Sequence, residues 1–237
     1  MTARIKLVSN EAERLAVYRF RYEVYVKEMK RTQEYADREL EIVCEPLDKS
    51  WHIAFAEDSG RVVGTARFNV GVDDSFGVYK DLYRLRSFGS FYPSSLSMTT
   101  KLIVAPEYRR STLPLQLSVF CYKQGLPLGP VFDFIDCNPP LVLFFRKLGY
   151  RQVFPNINHP EYGAVIPLVL AIYDREHLES VKSPFARYCP DKDQRGSVAL
   201  FRDEFAAPRQ RSTTVDWPLC RLDSSRNDDC SSGVEHG

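Results

Sequence analysis

Residues 101–117 read KLIVAPEYRRSTLPLQL, and the break inside this stretch sets the topology. Leu102–Ala105 is an apolar run suited to a buried strand, Pro106 stops it, and a basic turn comes next. A second apolar segment predicts a helix from about Leu113 to Gln124, ended by Gly125 and the Gly129-Pro130 pair. A strand feeding a helix in this way leaves the amides of Arg109, Arg110, Ser111, Thr112 and Leu113 near a helix N-terminus. Unpaired N–H groups and the helix dipole favour an anion there. An ordinary strand-to-helix turn with two solvated arginines would carry the same residues. Next along the chain, VFDFIDCN predicts a strand that delivers Asn138 at its end, either to bond a ligand's amides or to cap the next helix. PPLVLFFRKLGY then predicts that short helix, with proline in its first turn and Gly149 at the C-terminal position. Strand, helix and strand in this order make one parallel crossover.

Upstream, NEAERLAVYRFRYEVYVKEMKRT carries Leu15, Tyr18, Tyr22, Tyr25 and Met29 at helical steps, with Asn10 and Glu13 as a capping pair. Residues 34–50 are acidic and aperiodic and predict a loop or short turn. WHIAFAEDSGRVVGTARFNV predicts a hairpin about Glu57–Gly60, and residues 71–97 an irregular excursion. AVIPLVLAIYD predicts a further buried strand, in which Pro167 suggests a bulge or an edge. One or two helices are expected within 175–205. Residues 1–205 then form one domain, and the polar, aperiodic tail 206–237 is expected to be disordered.

The chain has 237 residues, 44% of them hydrophobic and 13% aromatic, which is enough for a single core of ordinary size. Net charge is +1, so no global field favours nucleic acid. The longest apolar runs are far too short to span a bilayer, and no signal-peptide core opens the chain. Six cysteines without a CxxC pair suggest free thiols and a cytoplasmic setting. Neither they nor the four histidines have metal-ligand spacing, so no metal site is expected.

LIVAPEYRRSTLPLQL followed by NPPLVLFFRKLGY resembles the two central motifs of the GNAT acyltransferase superfamily. Val104, Pro106, Arg109, Asn138, Lys147 and Gly149 match in place, and Tyr150 stands for a Phe. RFRYEVYVKE, the acidic CEPLD loop and the hairpin strand with Arg67 resemble the bacterial long-chain N-acyl amino acid synthases. More distantly, they resemble the acyl-homoserine-lactone synthases. The resemblance covers roughly residues 10–185. It implies an α/β fold of three layers, with a mixed, mostly antiparallel central sheet flanked by helices. It also implies an N-acyltransferase that moves a long fatty acyl group from a pantetheine thioester to the amine of an amino acid or similar small molecule.

On this resemblance Glu45 and Asp48 would handle the amine proton, and Arg21, Tyr25 and Arg67 would bind the acceptor. Val104, the Arg109–Leu113 turn and Asn138 would hold the pantetheine donor, its arm lying where the two central strands splay apart. Phe132, Phe134, Phe144 and Phe145 would line an acyl slot, although aromatics at this spacing also suit plain core. Surface or ion-pair roles remain open for the two arginines, as does a solvated loop for the acids. The turn departs from the family pattern, with Thr112 and Pro114 in place of glycines, and Pro114 lacks an N–H. A thinner cradle suits the one phosphodiester of acyl carrier protein better than coenzyme A, so the expected co-substrate is acyl carrier protein, with acyl-CoA as the alternative. No tightly bound cofactor is expected, and membrane contact only weakly, through a lipid product. Phe145 stands where the family often has a Tyr acid. Met98-Thr99-Thr100-Lys101 replaces the Glu-x-x-Arg of the lactone synthases, which argues against S-adenosylmethionine as acceptor. Signal synthesis of the lactone type, acetyl transfer from acetyl-CoA and a non-catalytic acyl- or carrier-binding module are the alternatives.

Overall fold

The structure, a computed structural model, describes residues 3–71, 75–159, 161–193 and 196–205. The tail at 206–237, with Cys220, Cys230 and His236, lies outside the described residues.

The centre of the fold is a sheet in which β1 (Arg4–Leu7), β4 (His52–Asp58), β5 (Arg61–Val70) and β6 (Leu96–Val104) run antiparallel in that order. β6 then pairs in parallel with β7 (Phe132–Cys137), through the crossover helix α3 (Leu113–Gly125). β10 (Gly163–Ala171) pairs antiparallel with β7 and carries β8 (Arg151–Gln152) and β9 (Ile157–His159) on its outer side. The sheet is therefore mixed, mostly antiparallel, and flanked by helices, as the sequence leads one to expect.

Helix α1 (Glu11–Tyr22) starts where the Asn10 side chain accepts the Glu13 amide at 2.9 Å, while the Glu13 carboxylate reaches back to the amide of Ser9 at 2.8 Å. It continues as a π-helical turn over Glu23–Glu28, marked by the Met29 amide bonding the Val24 carbonyl at 2.9 Å. α1 packs Val17 and Tyr18 onto Ile53 and Phe55 of the sheet. The hairpin turn places Ser59 at φ 52° and Gly60 at φ 77°, the left-handed pair that a two-residue hairpin loop demands. The short helix α4 (Val142–Leu148) ends at Gly149, whose φ of 107° only glycine adopts without strain.

Several expectations are corrected. A first strand, β1, precedes α1, and the acidic segment contains a small two-stranded ribbon, β2 (Ala36–Asp37) with β3 (Ile42–Val43). The stretch read as irregular contains the short helix α2 (Tyr79–Leu82), and β6 begins at Leu96, well before the apolar LIVA. Gly125 is the last residue of α3 and not its stop; Gly129, left-handed at φ 82°, closes the 3₁₀ turn after it. Pro167 belongs to neither a bulge nor an edge strand. It pairs with Asp136 of β7, at the point where the outer partner of β10 changes from β9 to β8. Two more helices, α5 (Arg175–Ser180) and α6 (Ser197–Phe205), complete the C-terminal part.

Candidate active site

β6 and β7 are paired only from Leu96/Phe132 to Met98/Phe134, although both strands run on, to Val104 and Cys137. Beyond that point they part, and a cleft of about 570 Å³ opens between them. Its apolar wall includes Val24, Met29, Leu141, Phe144, Phe145 and Val165, and its polar lining includes Tyr25, Tyr79, Thr100, Lys101, Asn138 and Tyr162. Of the described side chains that line it, Asp136 is the one acid, against the cations Arg31, Lys101 and Arg109.

The backbone of β6 is irregular where the cleft begins. Arg67 of β5 faces Thr100 and Thr65 faces Ile103, so β6 carries one residue more than its partner. Lys101 sits in this bulge at φ 53°, a left-handed conformation that costs a non-glycine residue about 1–2 kcal/mol. Such strain persists where surrounding contacts over-determine it, commonly at a functional site.

Those contacts form a buried ionic network against the cleft floor. Residues Pro46–Lys49 form a 3₁₀ turn in which Asp48 Oδ2 accepts the Glu45 amide at 2.8 Å, so the sequence EPLD folds locally and presents both acids together. Arg21 comes one helical turn after Val17, which directs it to the buried face of α1. There its Nη1 meets Asp48 Oδ2 at 2.8 Å. Arg67 Nη1 bonds Glu45 Oε2 at 2.7 Å and Asp48 Oδ1 at 3.1 Å, its Nε donates to Thr100 Oγ1 at 3.1 Å, and the guanidinium lies 4.6 Å over the Trp51 ring. Lys101 Nζ pairs with the remaining Glu45 oxygen and donates to the Tyr162 hydroxyl at 2.9 Å. Arg21, Arg67 and Asp48 are each 0% exposed.

Electrostatically, the network holds three cations against two carboxylates. Burial pushes Glu45 toward its neutral form, but Lys101 and Arg67 outweigh it and hold the carboxyl below its ordinary range. Burial likewise opposes ionisation of Asp48, and Arg21 with Arg67 overcome it. Lys101 is lowered, by burial first and by its arginine neighbours, against the pull of Glu45. Burial raises the phenols of Tyr25, Tyr79 and Tyr162, so all three are neutral hydrogen-bonding groups. Among the described residues, Nε and Nη2 of Arg21 find no hydrogen-bond partner.

The predicted residues divide by location. Arg21, Arg67, Glu45 and Asp48 come together, but in the network behind the cleft and not among the residues lining it. The acids are held in ion pairs, and every nitrogen of Arg67 is engaged. Tyr25, Val104, Arg109, Ser111, Asn138, Phe144 and Phe145 do line the cleft. Phe132 and Phe134 do not; they pack in the core with Phe88 and Phe201. The Asn138 side chain accepts from Arg31 at 3.0 Å and donates to the Tyr162 carbonyl at 3.1 Å, tying the exit of α1 to the loop before β10.

In the basic turn, three of the five amides are already bonded. Arg109 donates to the Pro106 carbonyl at 3.3 Å, Ser111 to the Tyr108 carbonyl at 3.0 Å, and Leu113 to the Ser111 hydroxyl at 3.1 Å. The Arg109 guanidinium grips Glu28 through both nitrogens at 2.6 and 2.7 Å, while Arg110 is exposed. Leu113 is buried under the sheet in the core with Leu117, and Thr112 is exposed beside Ser111.

Sequence reasoning missed Lys101, Asp136, Arg31 and Tyr162 as cleft residues. A lysine amid TTKLIV and an aspartate amid FIDC are charges inside apolar strands, a signal that was present; Arg31 and Tyr162 sit in loops that give none.

Residues 20–119 match the sequence profile described as an acetyltransferase (GNAT) domain. No curated protein sequence matches the chain. Among solved structures, the CoA-dependent acyl-homoserine lactone synthase BjaI superposes with a TM-score of 0.57 at 19% identity, covering 77% of this chain and 91% of its own. FeeM, an N-acyl amino acid synthase from uncultured soil microbes, gives 0.56 at 15% identity, over 80% of this chain and 100% of its own. The CoA-dependent lactone synthase MesI gives 0.54 at 21% identity, over 76% and 93%. Residues 20–119 therefore resemble an acetyltransferase (GNAT) domain, and the described residues have a fold shared with these synthases.

Proposed function

We propose that the protein is an N-acyltransferase that moves a fatty acyl group from a pantetheine thioester to the amine of an amino acid or similar small amine. The observation that carries this reading is the parting of β6 and β7 into a cleft with an apolar wall and a cation-rich floor. A pantetheine arm laid in the gap completes the interrupted sheet with its own amide groups, and the wall of Phe144, Phe145, Leu141 and Val165 suits an acyl chain. The extra residue of the β6 bulge leaves backbone N–H capacity free of the ladder, suited to the thioester carbonyl as negative charge develops on it. The leaving thiolate needs little help, since a thiol pKa near 8–9 makes it stable without an acid at Phe145.

The preferred donor is acyl carrier protein. With three amides of the turn bonded internally and Arg109 held by Glu28, the cradle has capacity for one phosphodiester and little for a pyrophosphate with a ribose phosphate. Exposed Arg110 is left to meet a carrier protein's acidic surface. A carrier-protein donor also implies a cytoplasmic reaction.

The test is to incubate purified protein with acyl carrier protein and coenzyme A thioesters of graded chain length, together with pooled amino acids, and to search for N-acyl amines by mass spectrometry. New amides formed faster from the carrier protein are expected. Equal rates from matched acyl-CoA overturn the donor preference, and no product from any pair overturns the enzyme in favour of a binding module.

A further inference from the structure

We propose that Asp136 is the group that receives the acceptor's amine and takes its proton, an assignment that rests on the transferase reading above. β6 and β7 last pair at Met98 and Phe134; two residues on, Thr100 and Asp136 stand at the same level across the opening. Asp136 thus occupies the wall of the gap where a thioester threaded between the strands would present its carbonyl. It is the one acid among the described residues lining the cleft, where the Tyr83 hydroxyl bonds it and the charges of His159 and Lys101 act on it. Glu45 and Asp48 lie behind the cleft, each in ion pairs with two cations.

The charges around Asp136 fit a zwitterion. Lys101 and Arg31 line the same cleft with Asn138, so an amino acid whose ammonium meets Asp136 finds cations for its carboxylate in the same cleft. The Tyr25 and Tyr162 rings, 5.9 Å apart, flank that end, and Lys101 lies over both. An α-amino acid is therefore the acceptor class, in preference to a simple alkylamine, which gains nothing from the cations.

Removal from water raises the Asp136 carboxyl above its usual range, with His159, Tyr83 and Lys101 pulling the other way. That brings its proton affinity closer to an amine's than those of Glu45 and Asp48. His159, buried behind it, accepts the Glu161 amide at Nδ1, which leaves Nε2 protonated in the neutral ring. The facing titratable and charged groups are thus Lys101 on β6, His159 on β9, Tyr83 after α2, and Tyr79 on α2.

The step balances without a further reactant. Asp136 takes one proton from the ammonium, and the freed lone pair forms the N–C bond to the thioester carbon. The C–S bond then breaks, and the second nitrogen proton ends on the pantetheine thiolate.

The experiment compares wild type with Asp136→Asn and Asp136→Glu, using one acyl donor and two nucleophiles, an α-amino acid and hydroxylamine. Hydroxylamine is already neutral near pH 7 and needs no base. Asp136→Asn is expected to lower kcat with the amino acid by about 10²–10⁴-fold, the usual contribution of a positioned base, with donor KM unchanged. Transfer to hydroxylamine should stay within a few-fold of wild type, and Asp136→Glu should recover part of the lost rate. An Asn variant that keeps the amino-acid rate, or loses both nucleophiles equally, overturns the assignment. A wild type inert toward every donor and both nucleophiles overturns the transferase reading and the assignment with it.

Discussion

Arg67 is held by internal bonds at every nitrogen. Fully buried, it ties β5 to the Glu45–Asp48 turn and to Thr100, and its removal leaves Asp48 with Arg21 and Glu45 with Lys101. Each acid still loses a buried partner, so Arg67→Met should lower stability in chemical denaturation by up to the roughly 3–5 kcal/mol of a buried pair broken from one side. A loss near zero would show that the network is not buried in solution. The charge balance predicts an order as well. Lys101→Met leaves two cations against two carboxylates, whereas Glu45→Gln leaves three cations against one. The glutamine variant should therefore have the lower urea midpoint, and the reverse order would refute the imbalance.

At the scale of elements, the sequence was most legible where a local rule decides. Asn10 capping α1, Gly149 ending α4 and Ser59-Gly60 closing the hairpin are fixed by backbone geometry within a few residues. Gly149→Ala combines the left-handed penalty with a Cβ placed 2.5 Å from Leu178 Cδ2, and should lower stability by at least about 1–2 kcal/mol, as thermal or chemical unfolding would show. A variant as stable as wild type would mean that α4 ends elsewhere. The elements that sequence reasoning missed obey no local rule. β1 is four residues long and holds by pairing with β4, and the first half of β6 is polar because Ser97 and Thr99 donate to buried Asp133 across the sheet. Polar residues with a partner inside the fold look like loop to any pattern that scores hydrophobicity alone.

For the whole molecule, the ionic network joins α1, the 45–48 turn, β5 and β6, so its titration should be felt globally. Glu45 and Asp48 have folded pKa values below their unfolded ones. The stability they contribute is thus complete above the unfolded carboxyl range of roughly 4 and is lost as pH falls through the folded values. Urea midpoints should hold steady through neutrality and drop below about pH 4, with a shallower drop in Asp48→Asn. A main loss between about pH 5 and 7 would instead implicate histidine. Among the described residues no helix is long and apolar enough to cross a membrane.

The sequence by itself determined the hairpin, the order of the strand, helix, strand, helix and strand that follow it, the parallel crossover and the family resemblance, because spacing and caps act over a few residues. The resemblance also pointed to Arg21 and Arg67 for the acceptor and to Glu45 and Asp48 for its proton. Only the tertiary structure decided where they lie. Burial and mutual pairing place these four behind the cleft, while the divergence of β6 from β7 brings Lys101 and Asp136 to its surface. Which side of a sheet a charge faces, and whether a neighbour already neutralises it, depends on contacts between residues far apart in the chain, and no local pattern encodes them.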